Sequence, residues 1–314
     1  MKADLLPRLA SPCCRAALAL DGSEGGGDDV ESGSLRCASC GGQFPIVRGV
    51  PRLLPPDLDG GRQVQRSFEF QWATWGDETR IFGRTRRDAL DYFFANLVHP
   101  DVKAADLRGK WVLDAGCGHG MYVSFLAELG ANVVGLDVTG AVEPVYRRVR
   151  GVPGAHCVQG DVLRPPFRPG AFDVVFSNGV LHHTADTRRA FAAIAALVGA
   201  PGSVGIWLYP VGHPAWEWTQ RTIRAVTTRM PRAVLHPLCY LAVPLLGVAP
   251  TYSGTSLRTA SWRQCAQVIF DFYAPRYQAH HRPDEVVQWF RDEGFVDVRL
   301  MPDPLGVTGK REAP

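Results

Sequence analysis

No apolar run in the sequence reaches the roughly 18–20 residues that a membrane-spanning helix needs. The longest candidate, 233–250, is interrupted by His236, Pro237 and Pro244, so no span is expected. A strong excess of one charge is also lacking. Lys and Arg total 34 against 31 Asp and Glu, a formal net charge of +3. That imbalance is too small for a chain whose main partner is nucleic acid or an acidic membrane. No positive–apolar–cleavage pattern opens the chain, since the first ten residues already include Asp4 and Pro7, and a secretory leader is not expected. Only eight of 314 residues are cysteine, scattered mostly through apolar segments. Such usage suits a reducing cytoplasm better than a disulfide framework. No internal repeat is present.

What is there is a globular composition, 46% apolar and 21% charged, in a length that fits one large domain and a small module. Residues 1–56 hold four of the cysteines and a Gly/Asp/Ser-rich stretch, 21–33, that reads as a flexible loop between two short ordered pieces. Residues 57–105 read as a linker and helical cover, with aromatics in Phe68-Glu69-Phe70-Gln71-Trp72 and an amphipathic run at 86–98. From 106 to 314 a third pattern holds. Apolar runs at 111–113, 133–136, 157–159, 174–176 and 204–208 read as buried parallel strands, with helices expected at 121–129, 141–150 and 187–198. This alternation implies an α/β fold, a Rossmann-like doubly wound sheet. The rhythm stops after Tyr209 and resumes with a helix near 283–293 and a strand near 295–300, which leaves 211–282 as a helical insertion.

Asp114-Ala115-Gly116-Cys117-Gly118-His119-Gly120 follows the first core strand and precedes a helix. Glycines there permit positive φ and a close backbone approach to a ligand. The Gly-x-Gly-x-Gly spacing differs from the Gly-x-Gly-x-x-Gly turn that cradles a pyrophosphate. The carboxylate of Asp114, two residues before the first glycine, suits a ligand with positive charge. The second strand ends in Gly135-Leu136-Asp137, where an acid can accept hydrogen bonds from ribose hydroxyls. The third ends in Gln159-Gly160-Asp161, where a carboxylate or neighbouring amides can read an adenine edge. The fourth runs from Phe172-Asp173 to Ser177-Asn178. All lie at carboxyl ends of strands, where open α/β sheets bind ligands.

Taken together these segments, with Gly179-Val180-Leu181-His182-His183 and Pro201-Gly202-Ser203, resemble the class I S-adenosylmethionine-dependent methyltransferases over roughly 106–210, and again near 283. The resemblance implies that Asp114, Gly116 and Gly118 contact the methionine part of the cofactor. It also implies that Asp137 holds the ribose and that Asp161 lies by the adenine. Cys117, Gly120, Val138, Val162, Ser177 and Asn178 complete the expected cofactor site. Ser203 replaces the family's second glycine after proline, a mild departure.

Methyl transfer requires an aligned nucleophile and exclusion of water, and a hydroxyl nucleophile usually needs a base. His182 and His183 follow the fourth strand and are candidate bases, although the dipeptide is common in the family and also reads as architectural. Asp271, Tyr273 and Tyr277, late in the insertion, are candidates for the acceptor site. The insertion reads as a substrate-binding cap. Its apolar stretch also reads as a homodimer interface or a membrane-surface element, the last weakened by its prolines and the lack of a clear basic face.

Cys37-Ala38-Ser39-Cys40 is a Cys-x-x-Cys knuckle able to hold zinc together with Cys13 or Cys14. With the stretch from Phe44 to Leu54 it resembles a small zinc-ribbon module that precedes some bacterial methyltransferases. Ser11 stands at that module's first cysteine position, and adjacent thiolates at Cys13 and Cys14 are awkward ligands for one tetrahedral ion. Cys117, Cys157, Cys239 and Cys265 read as buried small residues. The expected activity is S-adenosylmethionine-dependent methylation of a small-molecule acceptor, most readily at oxygen, with nitrogen and carbon open. The alternatives are an RNA nucleoside methyltransferase and a non-catalytic protein retaining the cofactor fold.

Overall fold

The computed structural model describes residues 1–24, 29–58, 61–76, 86–246, 261–303 and 305–313. Four short antiparallel strands come first: β1 (Leu18–Glu24), β2 (Ser32–Cys37), β3 (Gln43–Val47) and β4 (Val50–Leu53). The β3–β4 hairpin closes over Arg48-Gly49, both at positive φ (51° and 77°), as a two-residue turn between twisted strands requires. A Cβ on Gly49 would fall 2.2 Å from the Tyr146 ring, so only glycine fits. β1 and β2 run into the stretch expected as a loop, and 25–28 lie outside the described residues.

Two helices follow, α1 (Gly61–Trp75) and α2 (Arg86–Asn96). The alternating core then runs β5 (Trp111–Ala115), α3 (Met121–Glu128), β6 (Asn132–Asp137), α4 (Val142–Val149), β7 (Ala155–Gly160), β8 (Phe172–Asn178), α5 (Thr187–Ala195) and β9 (Val198–Trp207). Each expected core strand is present, the first four extending one to several residues further and β9 starting six residues earlier and ending one residue earlier than expected. Three helices, α6 (Pro214–Thr227), α7 (Arg232–Leu246) and α8 (Trp262–Tyr273), precede α9 (Pro283–Asp292), β10 (Val296–Leu300) and β11 (Gly306–Arg311). α7 contains Pro237 and Pro244, which the sequence reading treats as breaks. Both prolines are exposed. Pro237 costs the helix the bond to the carbonyl of Ala233, itself an exposed residue, which water can satisfy.

One sheet holds all eleven of these strands, in the order β1-β2-β3-β4-β7-β6-β5-β8-β9-β11-β10. β7, β6, β5, β8 and β9 are parallel, while β11 joins β9 antiparallel and carries β10. The small module extends this sheet directly: β4 pairs parallel with β7 through Arg52–Gln159 and Leu53–Gly160. Every residue of β7 is buried as a result, so a strand that would otherwise be an exposed edge is covered. Chain order reverses between β5 and β8, and this opens a crevice at their carboxyl ends. Apolar clusters fill both faces of the sheet. A third cluster joins Trp75 of α1 to Leu235, Cys239 and Val243 of α7 and Cys265, Ile269 and Phe270 of α8.

Candidate active site

β5 delivers Asp114 and Ala115 to the crevice, and the chain turns through Gly116, Gly118 and Gly120 at φ 96°, 51° and 75° before α3 begins. The turn is fastened to β6, because the amides of Gly116 and Cys117 both donate to the Leu136 carbonyl at 2.7 and 2.9 Å. The space beside each glycine is filled by protein. A Cβ would meet Val180 at 2.3 Å on Gly116, the Trp72 indole at 2.6 Å on Gly118 and Val145 at 2.2 Å on Gly120. Glycine is thus required by packing as well as by any ligand.

Asp137 ends β6 with both oxygens engaged. Oδ2 accepts from the Gly118 amide at 2.8 Å, and Oδ1 accepts from the Thr139 amide at 2.9 Å and hydroxyl at 2.7 Å. An ionised carboxylate has about four acceptor positions, so room for one further donor remains. Asp114 lies beside it, 2% exposed, and its Oδ2 has no hydrogen-bond partner among the described residues. Burial, then the charge of Asp137, pushes the Asp114 carboxyl well above the usual carboxylate range. Burial also raises Asp137, against the opposing pull of its three donors. Two crowded, buried carboxyls at a strand end are a costly arrangement that a cationic ligand would relieve. The donor set therefore fits a sulfonium methyl donor carrying an α-ammonium group and a ribose.

The remaining expected cofactor residues divide. The Val138 carbonyl accepts from Gln65 Nε2 (3.0 Å) and Gln159 Nε2 (3.1 Å), and Gln159 Oε1 in turn accepts from Arg52 of β4 at 3.2 Å. Asp161 Oδ1 caps its own turn by accepting from the Leu163 amide at 2.9 Å. The Ser177 hydroxyl donates to the Ala115 carbonyl at 2.7 Å and ties β8 to β5, a structural bond. Cys117 and Val162 are buried in apolar clusters, and Asn178 is half-buried at the end of β8.

The two histidines have different surroundings. His182 is fully buried and stacks on the Tyr209 ring at 3.9 Å between centroids. His183 Nδ1 lies 3.0 Å from the Tyr277 carbonyl. A carbonyl only accepts, so Nδ1 carries the proton and Nε2 keeps its lone pair. That Nε2 has no hydrogen-bond partner among the described residues and sits 3.9 Å from Asp271 Oδ2. Burial pulls the His183 pKa below its ordinary value, and Asp271 pulls back upward. Asp271 is itself held at both oxygens, by Gln71 Nε2 on Oδ1 and by the Tyr209 hydroxyl on Oδ2, each at 3.0 Å.

Helix α1 roofs this arrangement. Gln65, Phe68 and Trp72 share one face by their i, i+3, i+7 spacing. Gln65 bonds Val138, Phe68 packs edge-on against His183 at 5.3 Å, and Trp72 stacks on His119 at 5.4 Å beside Gly118. Four residues of helix rise, about 6 Å, therefore separate the side chain over the glycine turn from the one against His183.

Tyr273 is not brought into this group. It lies buried among α7 and α8 side chains, and its hydroxyl accepts from Gln220 Nε2 at 2.8 Å. Tyr277 contributes its carbonyl to His183 and is one of the residues lining an open cavity of about 310 Å³, with Arg188, Gln278, His281, Glu285 and Trp289. Charged groups of both signs in that wall suit a polar ligand group rather than an acyl chain. Tyr209 and Gln65 join this candidate site without a sequence signal, whereas Gln71 and Gln159 lie in segments that the sequence singles out. At the other end of the sheet, the sulfurs of Cys14, Cys37 and Cys40 lie within 4.8 Å of one another. Cys13 is outside this group. The close group takes Cys14 from the adjacent pair, with the Ser11 hydroxyl 3.5 Å from Cys40 Sγ.

The chain is similar to several known proteins. The family model described as a methyltransferase domain matches residues 113–204, and the one described as Trm112p-like protein matches residues 2–49. A fatty-acid O-methyltransferase of Mycolicibacterium smegmatis is 34% identical over 132 residues, 41% of this chain and 47% of that protein. The chain thus spans about half the length of that relative. Phthiotriol/phenolphthiotriol dimycocerosates methyltransferase 1 of Mycobacterium ulcerans is 30% identical over 205 residues, 60% of this chain and 74% of that protein. Among solved structures, magnesium protoporphyrin IX methyltransferase of Synechocystis PCC 6803 with bound SAH gives a TM-score of 0.47 at 16% identity, covering 79% of this chain and 98% of that one. The chain belongs to the class I S-adenosylmethionine-dependent methyltransferases, with a Trm112p-like module preceding the methyltransferase domain.

Proposed function

We propose that this protein transfers a methyl group from S-adenosylmethionine to a hydroxyl oxygen of a small-molecule acceptor, with His183 as the base. The observation that carries this reading is the His183 ring: Nδ1–H is committed to the Tyr277 carbonyl, and Nε2 is left as a buried acceptor beside Asp271 with no hydrogen-bond partner among the described residues. Bound S-adenosylmethionine would supply an electrophilic methyl on sulfur. The chain's own residues then have three tasks. Asp114, Asp137 and the glycine turn seat the positive charge and the ribose. α1, with the helices of 211–282 acting as a cap, excludes water. His183 Nε2 would take the proton of the acceptor hydroxyl as the new O–CH₃ bond forms and Asp271 would stabilise the imidazolium, while the S–CH₃ bond of the donor would break with its electron pair left on sulfur as a neutral thioether. The relative named for a fatty acid points toward an acceptor with an apolar part, and the charged wall beside Tyr277 toward a polar group on the same molecule. The reading places the chain in the cytoplasm, whose reducing conditions suit eight cysteines scattered mostly through apolar segments. Mass-spectrometric profiling of a deletion strain tests it: a species lighter by one methyl should accumulate and be converted in vitro by the purified protein. Turnover only on amine acceptors would overturn the oxygen assignment.

We further infer that Cys14, Cys37 and Cys40 hold one structural zinc ion. Tetrahedral zinc–thiolate sites place sulfurs about 3.8 Å apart, from Zn–S bonds of about 2.3 Å, and the Cys14–Cys37 sulfurs stand at 3.5 Å. The Ser11 hydroxyl, and after it the Gly42 backbone, lowers the exposed Cys40 thiol to about 7, which favours the thiolate a metal needs. Elemental analysis should find close to one zinc per chain. Cys37→Ser with Cys40→Ser should abolish it and lower the thermal midpoint, while Ser11→Cys, which completes a four-sulfur set, should slow zinc loss to a chelator. A zinc-free wild type with an unchanged midpoint in the double variant would refute the site.

A further inference from the structure

Eight of the eleven exposed large apolar side chains among the described residues lie between Val211 and Trp262. On α7, Val234, Leu238 and Leu241 are 49%, 40% and 72% exposed, and their i, i+4, i+7 spacing puts them on one face. The opposite side of the same helix, Leu235, Cys239 and Val243, is buried against α8. α6 is built alike. Gln220, Arg224 and Thr227 bond residues 272, 273 and 275–276, at and just beyond the end of α8, whereas Trp218 and Val226 stand 70% and 58% exposed. Trp262, at the start of α8, is 61% exposed. Scattered single apolar residues on a surface need no explanation, but a concentration on consecutive helices does.

The charge around this face is mostly of one sign, although α1 also presents the exposed Glu69. From Glu217 to Asp271 the sequence contains no other acid and six arginines. Glu217 is occupied by His280 at 2.5 Å, and Asp271 faces inward to Gln71 and Tyr209. Arg221 and Arg229 are exposed, and α1 adds exposed Arg62 and Arg66. The start of α1 lies alongside, because Gln63 bonds the Thr228 carbonyl and Arg232 bonds the Gln63 carbonyl and Ser67 hydroxyl. The near-balanced charge of the whole chain conceals this local excess.

We infer that the outer face of α6 and α7 docks on the surface of an anionic lipid bilayer. An apolar stripe rimmed by guanidinium groups is the pattern that lies in the headgroup region, and no described helix is long and apolar enough to cross. The same helical layer turns Asp271 toward His183 on its inner side, so docking would bring the site to where lipophilic acceptors reside. The docking itself does not depend on what the acceptor is.

Co-sedimentation with vesicles of equal parts phosphatidylglycerol and phosphatidylcholine, against phosphatidylcholine alone, tests this with the full chain. Binding should be at least tenfold tighter to the anionic vesicles and should weaken as salt rises. Leu238→Ser with Leu241→Ser should weaken it tenfold or more. Arg221→Gln with Arg229→Gln should bring it close to the level of phosphatidylcholine vesicles. Because all four side chains are exposed, circular dichroism and the thermal midpoint should stay at wild-type values in both variants. Equal binding to both vesicle types, or variants that bind as wild type does, would overturn the proposal. So would a wild-type dimer on a sizing column that dissociates in the leucine variant without any vesicle binding, since the face would then join two copies of the chain.

Discussion

Replacing His183 with alanine is expected to lower turnover by roughly 10²–10⁴, the usual contribution of a positioned base, while leaving S-adenosylmethionine affinity within a few fold. The expectation rests on a tautomer fixed by geometry. The Tyr277 carbonyl accepts from Nδ1, so the lone pair must reside on Nε2, in a wall formed by Phe68 and Asp271. Burial lowers the His183 pKa, so the base stays neutral through its ordinary value of about 6.5. The acid limb of the kcat profile should therefore fall below that value rather than at it. Asp271 acts in the opposite direction, so Asp271→Asn should move the limb still lower, a readout that simple loss of packing would not produce. His182→Ala should behave differently: its ring is stacked on Tyr209 with neither nitrogen bonded among the described residues, so its loss should reduce stability more than the pH-dependent step. If His183→Ala retains near-wild-type turnover on a hydroxyl acceptor, the base lies elsewhere.

The candidate cofactor residues can be placed from the sequence because they are local. The glycine turn and the strand-terminal acids occupy fixed positions along β5, β6 and β7, and each can be placed once the strands are. The proposed proton-transfer group is only half legible in the sequence. His183 stands right after β8, but what distinguishes it from His182 is the Tyr277 carbonyl, 94 residues away. Asp271 was visible as an acid among aromatics. Its partners Gln71 and Tyr209 lie 200 and 62 residues distant, and no periodicity links them. Tyr273 illustrates the opposite error: it reads as a pocket phenol from its neighbours, yet its position on α8 turns it into the packing with Gln220. One signal was present and unused. Ser261-Trp262-Arg263-Gln264 is a capping box, with both reciprocal bonds formed, and it marks the start of α8. The terminal hairpin was also missed in part, because β11 contains two glycines among six residues and has no apolar alternation; it becomes a strand by pairing between β9 and β10. In the small module, composition suggested a loop where β1 and β2 form a ladder, since glycine and serine were read without their pairing partners.

Asp137→Ala should weaken S-adenosylmethionine binding roughly 10²-fold, and Asp114→Asn should weaken it by at least tenfold, but the two should have opposite effects on the cofactor-free protein. Asp137 does two things. It is placed to accept from a ribose hydroxyl, a charge-assisted bond of roughly 1.5–3 kcal/mol, and it holds the glycine turn by accepting from the Gly118 amide. Its removal orphans that amide and the donors of Thr139, so the cofactor-free variant should melt earlier. Asp114 has no such structural role on Oδ2, which lacks a partner among the described residues. Its pKa is raised in the folded state by burial and by Asp137, so ionisation costs stability once pH exceeds the unfolded value of about 3.9. Asparagine, neutral and of the same shape, removes that cost. Asp114→Asn should therefore raise the thermal midpoint of the cofactor-free protein at neutral pH, and the gain should vanish as pH falls toward the unfolded carboxyl value. The same substitution deletes a negative charge that the sulfonium and ammonium groups would meet, so calorimetric affinity should drop while stability rises. Paired melting and titration of the two variants separates the roles. Asp114→Asn with unchanged affinity would show that the crowded carboxyls are not the cation site, and Asp137→Ala with unchanged affinity would remove Asp137 from the ribose.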